Sequence, residues 1–267
     1  MKARHADIGD LSHSWCNDDV VVSSVMETVS FVTPVLEGFF IRSVAQGMRV
    51  HKDAALVRRC QAFIREESSH SRAHKKFNTV LLGYLGRPPR GLAMVSAMLD
   101  AARQYLSVSQ QLGLAAALEH LTAVMSKLYV GQQHGLKFAS RYAQELFAMH
   151  AEEELGHRSV VFDLWQANEP GGRFNRFVII TLVLLVGSVY VVLAVPWILY
   201  RKMERRLLKT LIALVKFTVK NIGSTLVQLP VSELFSFIRG DFHPERLIDE
   251  KMAEKNHTTN AGKGASK

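Results

Sequence analysis

The sequence predicts an all-α protein, a four-helix bundle followed by a C-terminal apolar helical segment. Three observations carry this. Apolar residues recur at helical spacing over long stretches, while strand-like runs bounded by turn residues are scarce. A lone glutamate followed by a Glu-Glu-x-x-His motif occurs twice. Finally, Phe177 to Tyr200 is a run of 24 residues without one charge.

Composition narrows the class. Of the 267 residues, 48% are hydrophobic, which is ample for a core and excludes wholesale disorder. Cys16 and Cys60 are too few for a disulfide framework and lack CxxC spacing, which fits a reducing compartment. The opening stretch MKARHADIGDLSHSWCNDD has no apolar h-region, so no secretory signal is expected. Net charge is +9, yet Arg201 to Lys220 alone hold seven Lys/Arg and one Glu. The rest is near balance and shows no nucleic-acid motif, so the expected partner of the basic stretch is anionic lipid, not nucleic acid.

The elements follow in order. After an N-terminal arm (residues 1–20), helical patterns run from about Val21 to His51 and from about Ala54 to Leu85. Pro34 should kink the first helix or mark its true beginning. The Arg87-Pro88-Pro89-Arg90-Gly91 turn precedes a shorter helix, Leu92 to Tyr105, and a longer one from about Gln110 to Gln132. A fourth long helix is expected from Lys137 to Ala167, so the bundle occupies 21–169. Glu169-Pro170-Gly171-Gly172 opens a hinge over 170–176. The apolar run 177–200 is long enough to cross a hydrocarbon core of about 30 Å, or to re-enter near Pro196; a buried central helix is the competing reading. The basic flank on its C-terminal side would put that side in the cytoplasm. Leu207 to Leu229 reads as an amphipathic membrane-surface helix within 201–250, and 251–267 as a disordered tail.

The chemistry lies in the repeat. Glu66-Glu67-Ser68-Ser69-His70 and Glu153-Glu154-Leu155-Gly156-His157 are each EExxH. Residues three apart share a helix face, so Glu67/His70 and Glu154/His157 can each offer an oxygen and a nitrogen to a metal. A bundle di-metal site also needs one carboxylate from each remaining helix. Glu37, 30 residues before Glu67, and Glu119, 35 residues before Glu154, lie in apolar surroundings at about the separation an antiparallel helix pair requires. These glutamates and histidines share a stripe with Leu56, Phe63 and Phe77 on one helix and with Phe147, Val161 and Leu164 on the other. Burying charge there is costly unless it is paired or coordinated. His150 shares the face of Glu154 and His157, completing seven expected ligands: Glu37, Glu67, His70, Glu119, His150, Glu154 and His157. His74 is expected beside them without ligating. Glu66 and Glu153 either accept the free N–H of a ligating histidine from a neighbouring helix or face solvent. His120 reads as structural.

This ligand pattern, extra histidine included, resembles that of the p-aminobenzoate N-oxygenase-like di-iron enzymes, although Glu66 stands where those enzymes usually carry Asp. More of the chain resembles a bacterial family of predicted metal-dependent hydrolases, through Glu37-Gly38-Phe39-Phe40, EESSHSRAHKKFN over Glu66 to Asn78, HAEEELGHRSVVFD, and Phe242-His243-Pro244. That resemblance implies a metal-dependent enzyme using these ligands.

The leading expectation is a ferritin-like bundle holding two iron ions, with manganese as the alternative. It would be a membrane-associated oxidase or oxygenase acting on an apolar small molecule, its bundle on the cytoplasmic side. Oxygen and nitrogen donors without a thiolate suit such a pair. A two-metal hydrolase is the rival enzyme class, and a non-catalytic metal-binding membrane protein the third.

Overall fold

The computed structural model describes residues 11–132, 136–228 and 230–246, and these are all-helical, with one isolated bridge between Cys16 and Phe138. The first long helix, α1 (Val20–Gly47), starts where Asp19 accepts hydrogen bonds from the Val21 and Val22 amides at 2.7 and 3.1 Å. It runs through Pro34, which neither starts nor ends it. Proline has no N–H to offer the carbonyl four residues earlier, that of Ser30. The Asn78 side chain fills that place, its Nδ2 donating to the Ser30 oxygen at 2.9 Å.

The second helix, α2 (Ala54–Leu85), is capped by Asp53 and stops at Gly86, whose φ of 75° sends its amide back to Leu82. Next comes α3 (Leu92–Tyr105). The following α4 (Val108–Gln132) begins earlier than the expected Gln110. A capping box explains the extra residues: Gln110 Oε1 accepts the Ser107 amide at 2.9 Å and Ser107 Oγ accepts the Gln110 amide at 3.3 Å.

The fourth long helix is shorter than expected and broken. Residues 136–139 are not helical; Lys137 and Ala139 are hydrogen-bonded to Asn17 and Trp15 of the N-terminal arm, and Ser140 caps α5 (Arg141–His157). Arg158 and Ser159 separate it from α6 (Val160–Ala167). Both residues are held from outside the helix, Arg158 by the Pro244 and Glu245 carbonyls and Ser159 Oγ by the Glu245 carboxylate.

The apolar helix α7 (Arg173–Lys202) starts inside the expected hinge, so residues 173–176 are its first turn, and it runs through Pro196. It packs against α1, α4, α2 and α3, burying Ile180, Tyr190, Ala194, Trp197 and Ile198. The Tyr190 hydroxyl donates to the Thr28 carbonyl at 3.0 Å. Its other face, from Phe174 to Leu193, is exposed. By length and apolarity α1 and α7 could each cross a membrane, although half of α1 is buried within the protein.

A turn at Met203–Arg206 leads to α8 (Leu207–Gln228), which packs against α7 and α1, and then to α9 (Val231–Ser236), which packs against α4 and α7. The segment around α9, expected as part of the membrane-surface region, turns several side chains into the protein. Phe237 is fully buried with its ring stacked on Trp165, and Phe242 packs against Phe162 and His120. The expected disordered tail lies outside the described residues.

Two apolar clusters form the core. One includes Phe39, Phe40, Phe63, Leu112, Val161, Leu164, Trp165 and Phe237; the other includes Trp15, Phe31, Phe77, Leu81, Phe147, Trp197 and Ile198. Along α1, Glu37 falls between Phe31 and Phe39. Along α2, Glu67 and His70 fall between Phe63 and Phe77. Along α5 and α6, His150 and Glu154 fall between Phe147 and Val161. A polar layer is thus sandwiched between two apolar ones.

Candidate metal centre

Each of α1, α2, α4 and α5 sends carboxylates or imidazoles into this layer. Glu37, Glu67, His70, Glu119, Glu154 and His157 are buried, and His150 nearly so. Donor atoms of Glu67, His70, Glu154 and His157 lie within 4.8 Å of one another, and so do those of Glu37, His70 and His150, the two groups sharing His70. Glu119 joins through His157, whose Nδ1 is 3.1 Å from Glu119 Oε1 while its Nε2 is 3.3 Å from Glu67 Oε1. His150 bridges α1 and its own helix, with Nδ1 3.8 Å from Glu37 Oε1 and Nε2 3.4 Å from Glu154 Oε1. All seven sequence-expected residues therefore come together.

Buried polar atoms are ordinarily hydrogen-bonded. Here both oxygens of Glu37 and of Glu67 lack a partner, as do His70 Nδ1, Glu119 Oε2, His150 Nδ1 and His157 Nε2. Among the described residues no Lys or Arg forms an ion pair with any of the four carboxylates. Their protonation responds accordingly. Burial, reinforced by the Glu154 carboxylate, pushes Glu37 up to about 9. Burial raises Glu119 and Glu154 to about 8 each, and Glu67 well above the carboxylate range. Burial also lowers His70 and His150, so these imidazoles are neutral. Without a cation, the cluster must hold protons in its place. Several carboxylates, three imidazoles and no cysteine form a donor set suited to transition metals of oxygen–nitrogen preference.

The flanking residues divide. Glu153, half-buried on α5, accepts the Nε2–H of His70 across the helix interface, which turns His70 Nδ1 towards Glu37 and Glu67. Glu66 does not share that role: one step round α2 from Glu67, it is exposed, and His70 Nε2 meets Glu153 instead. Thr122, one turn after Glu119, donates to Glu154 Oε2 at 2.8 Å. His74 is fully buried, with its ring 5.0 Å from that of His150. The Ser30 hydroxyl donates to Asn78 Oδ1 at 2.7 Å, so its oxygen is free to accept the His74 Nδ1–H at 2.9 Å. That fixes the tautomer and leaves Nε2 as an unpartnered acceptor. Burial pushes His74 down to about 3, keeping it neutral. His120 is structural: its Nε2 donates to the Glu233 carbonyl at 2.9 Å, and its ring packs between Phe237 and Phe242.

Sequence reasoning did not find Ser30, Asn78 and Thr122. A polar side chain one turn from a ligand was the available signal for Thr122. For Ser30 and Asn78 it was the proline four residues after a serine.

An all-helical protein whose centre is a buried cluster of carboxylates and imidazoles is the class of molecule that binds metal to work. The chain belongs to the family described as predicted metal-dependent hydrolase, which it matches over residues 1–247. No curated protein and no solved structure matches it.

Proposed function

We propose that this chain is a two-metal hydrolase whose metal pair is held by Glu37, Glu67, His70, Glu119, His150, Glu154 and His157 in a ferritin-like four-helix bundle of α1, α2, α4 and α5. The observation that supports the metal site best is the set of buried donor atoms without hydrogen-bond partners, drawn from all four helices. The family description favours hydrolysis as the reaction. A bound pair would supply Lewis acidity and a water-derived nucleophile.

The residues of the chain prepare the site for it. Glu153 holds the proton on His70 Nε2 and so leaves Nδ1 as the donor atom. Thr122 engages Glu154 Oε2, leaving Oε1 towards His150. The apolar clusters on either side confine the donor atoms to one buried layer.

The donor chemistry favours a second reading, a di-iron or di-manganese oxidase or oxygenase acting on an apolar small molecule. Paired ExxH helices with one carboxylate from each partner helix are the ligand arrangement of such carboxylate proteins. The large exposed apolar face of α7 and α8 supports membrane association.

Elemental analysis of the purified protein, followed by two assays, tests these readings. About two transition-metal ions per chain are expected; none after anaerobic reconstitution with iron or manganese would end the metal proposal. Turnover of phosphoester or carboxylic ester substrates without oxygen uptake supports the hydrolase. Stoichiometric oxygen uptake by the reduced, iron-loaded protein, without ester turnover, would replace it with the oxidase.

A further inference from the structure

The consecutive helices α7 and α8 each present an exposed apolar row. On α7 these are Phe174, Leu182, Leu185, Val189 and Val192, with Leu185 58% and Val192 70% exposed. The row from Phe174 to Leu193 is roughly 29 Å long at helical rise. On α8, Leu207, Leu208, Leu211, Ile212, Val215 and Val219 are exposed and fall on an arc of roughly 140°. Lys209, Lys216 and Lys220, also exposed, fall on the arc beside it. From Arg173 to Gln228 the chain has nine Lys/Arg and a single acidic residue, Glu204. Arg201 and Arg87 sit over the Trp197 ring near the turn between α7 and α8. An apolar surface of this extent calls for an occupant.

We propose that α7 and α8 dock in the plane of an anionic lipid bilayer, their apolar rows entering the outer part of one leaflet, their basic residues at the headgroups, and no helix crossing the membrane. This deepens the membrane association proposed above and rests on it.

Attachments along α7 argue against crossing. At one end the Arg176 guanidinium lies over the Phe162 and Trp165 rings and donates to the Arg239 carbonyl at 3.1 Å. Midway, Tyr190 is bonded to Thr28. At the other end Lys202, buried, is 2.7 Å from the Glu27 carboxylate and donates to the His13 carbonyl. A helix held along its length cannot enter the hydrocarbon alone. The α1 and α2 helices would have to follow, and α2 carries Arg58, Arg65, Arg72, Lys75 and Lys76 on its exposed side. Those charges have no place in hydrocarbon. In-plane docking leaves them in water and still covers the apolar rows.

Charge also selects lipid over a second copy of the chain. A two-fold dimer through this face would set like basic rows against each other, whereas anionic headgroups complement them.

The test uses the full chain with phosphatidylcholine vesicles, with and without phosphatidylglycerol. The protein should co-float with vesicles, more strongly when phosphatidylglycerol is present. Leu185→Glu combined with Val192→Glu should lower partitioning about tenfold or more. Lys209→Gln and Lys216→Gln should each remove roughly fivefold of the phosphatidylglycerol-dependent part. Unchanged circular dichroism and metal content would show these exposed positions leave the fold intact.

Topology is then read in sealed vesicles from expressing cells, using Gly172→Cys, exposed and with open space for a side chain, and Glu204→Cys, which flank α7 outside its apolar row, with a membrane-impermeant maleimide. Cys16 and Cys60 are buried and contribute little background. Both introduced cysteines should react from the same side. Reaction from opposite sides would overturn in-plane docking while leaving membrane association standing. Absence of vesicle binding, or a lipid-independent dimer broken by Leu185→Glu, would overturn both.

Discussion

Two adjacent glutamates on α2 meet opposite environments. Glu67 is fully buried with both oxygens unpartnered, while Glu66 is exposed. The order is the same on α5, where Glu154 is buried in the cluster, but there the first glutamate has a role: half-buried Glu153 is bonded to His70. Helical phase separates the members of each pair, about 100° apart. We predict that Glu67→Ala and Glu154→Ala each abolish metal occupancy. Glu153→Ala should weaken it about 10- to 100-fold by freeing the His70 ring, and Glu66→Ala should have little effect. Metal titration of the four variants checks this; equal losses at positions 66 and 67 would show that the phase is misassigned. His74 illustrates a longer chain of cause. Pro34 frees a carbonyl, Asn78 takes it and fixes Ser30, and Ser30 fixes the His74 tautomer.

Among the elements, α7 has two roles. One face is part of the core and the other is the exposed apolar surface. Its C-terminal anchor is a buried ion pair, Lys202 with Glu27, whose carboxylate also accepts from Trp15 Nε1 at 2.8 Å and from the Tyr84 hydroxyl at 2.6 Å. Removing the lysine strands a buried carboxylate, so Lys202→Met should destabilise the fold by about 3 kcal/mol. Chemical denaturation measures this, and a change below about 1 kcal/mol, the size of an exposed pair, would refute the anchoring role. A chain cut after Gly172 would lose Ile180, Tyr190, Trp197 and Phe237 from the core along with this anchor. Such a truncated chain is therefore expected to aggregate or fail to load metal, as solubility and metal content would show; a soluble, metal-binding truncate would show an independent bundle.

For the whole molecule, the two apolar clusters must enclose a layer whose carboxylates repel one another. A bound cation would remove that conflict, and the donor atoms come together only in the folded state. At a metal concentration about 100 times its dissociation constant, such binding adds about 2.7 kcal/mol. In a chain of this size the thermal midpoint should then rise by about 5–10 °C. Calorimetry of the metal-loaded protein before and after chelation tests it, and identical midpoints would show that the layer is stable without a metal.

Local information was enough for the helical class, most helix ends and all seven candidate ligands, because helical spacing is written directly in the order of residues. Glu67/His70 and Glu154/His157 repeat at that spacing, and Asp53 and Gly86 mark the ends of α2 where an N-cap and a left-handed stop belong. The Ser107–Gln110 capping box was equally present in the sequence, although the helix was expected to start later. Tertiary contacts decided the rest. The break at Arg158–Ser159 depends on Pro244 and Glu245, more than 80 residues away in the chain. The choice of Glu153 over Glu66 as the partner of His70 depends on how α5 faces α2. Most of all, the uncharged run of α7 has the composition of a membrane span. Its role as a wall of the protein follows only from Tyr190 reaching Thr28 and Lys202 reaching Glu27. Hydrophobicity states that a surface will leave water, but not whether lipid or protein will cover it; on α7 the helices packed beside it settle this for the buried face.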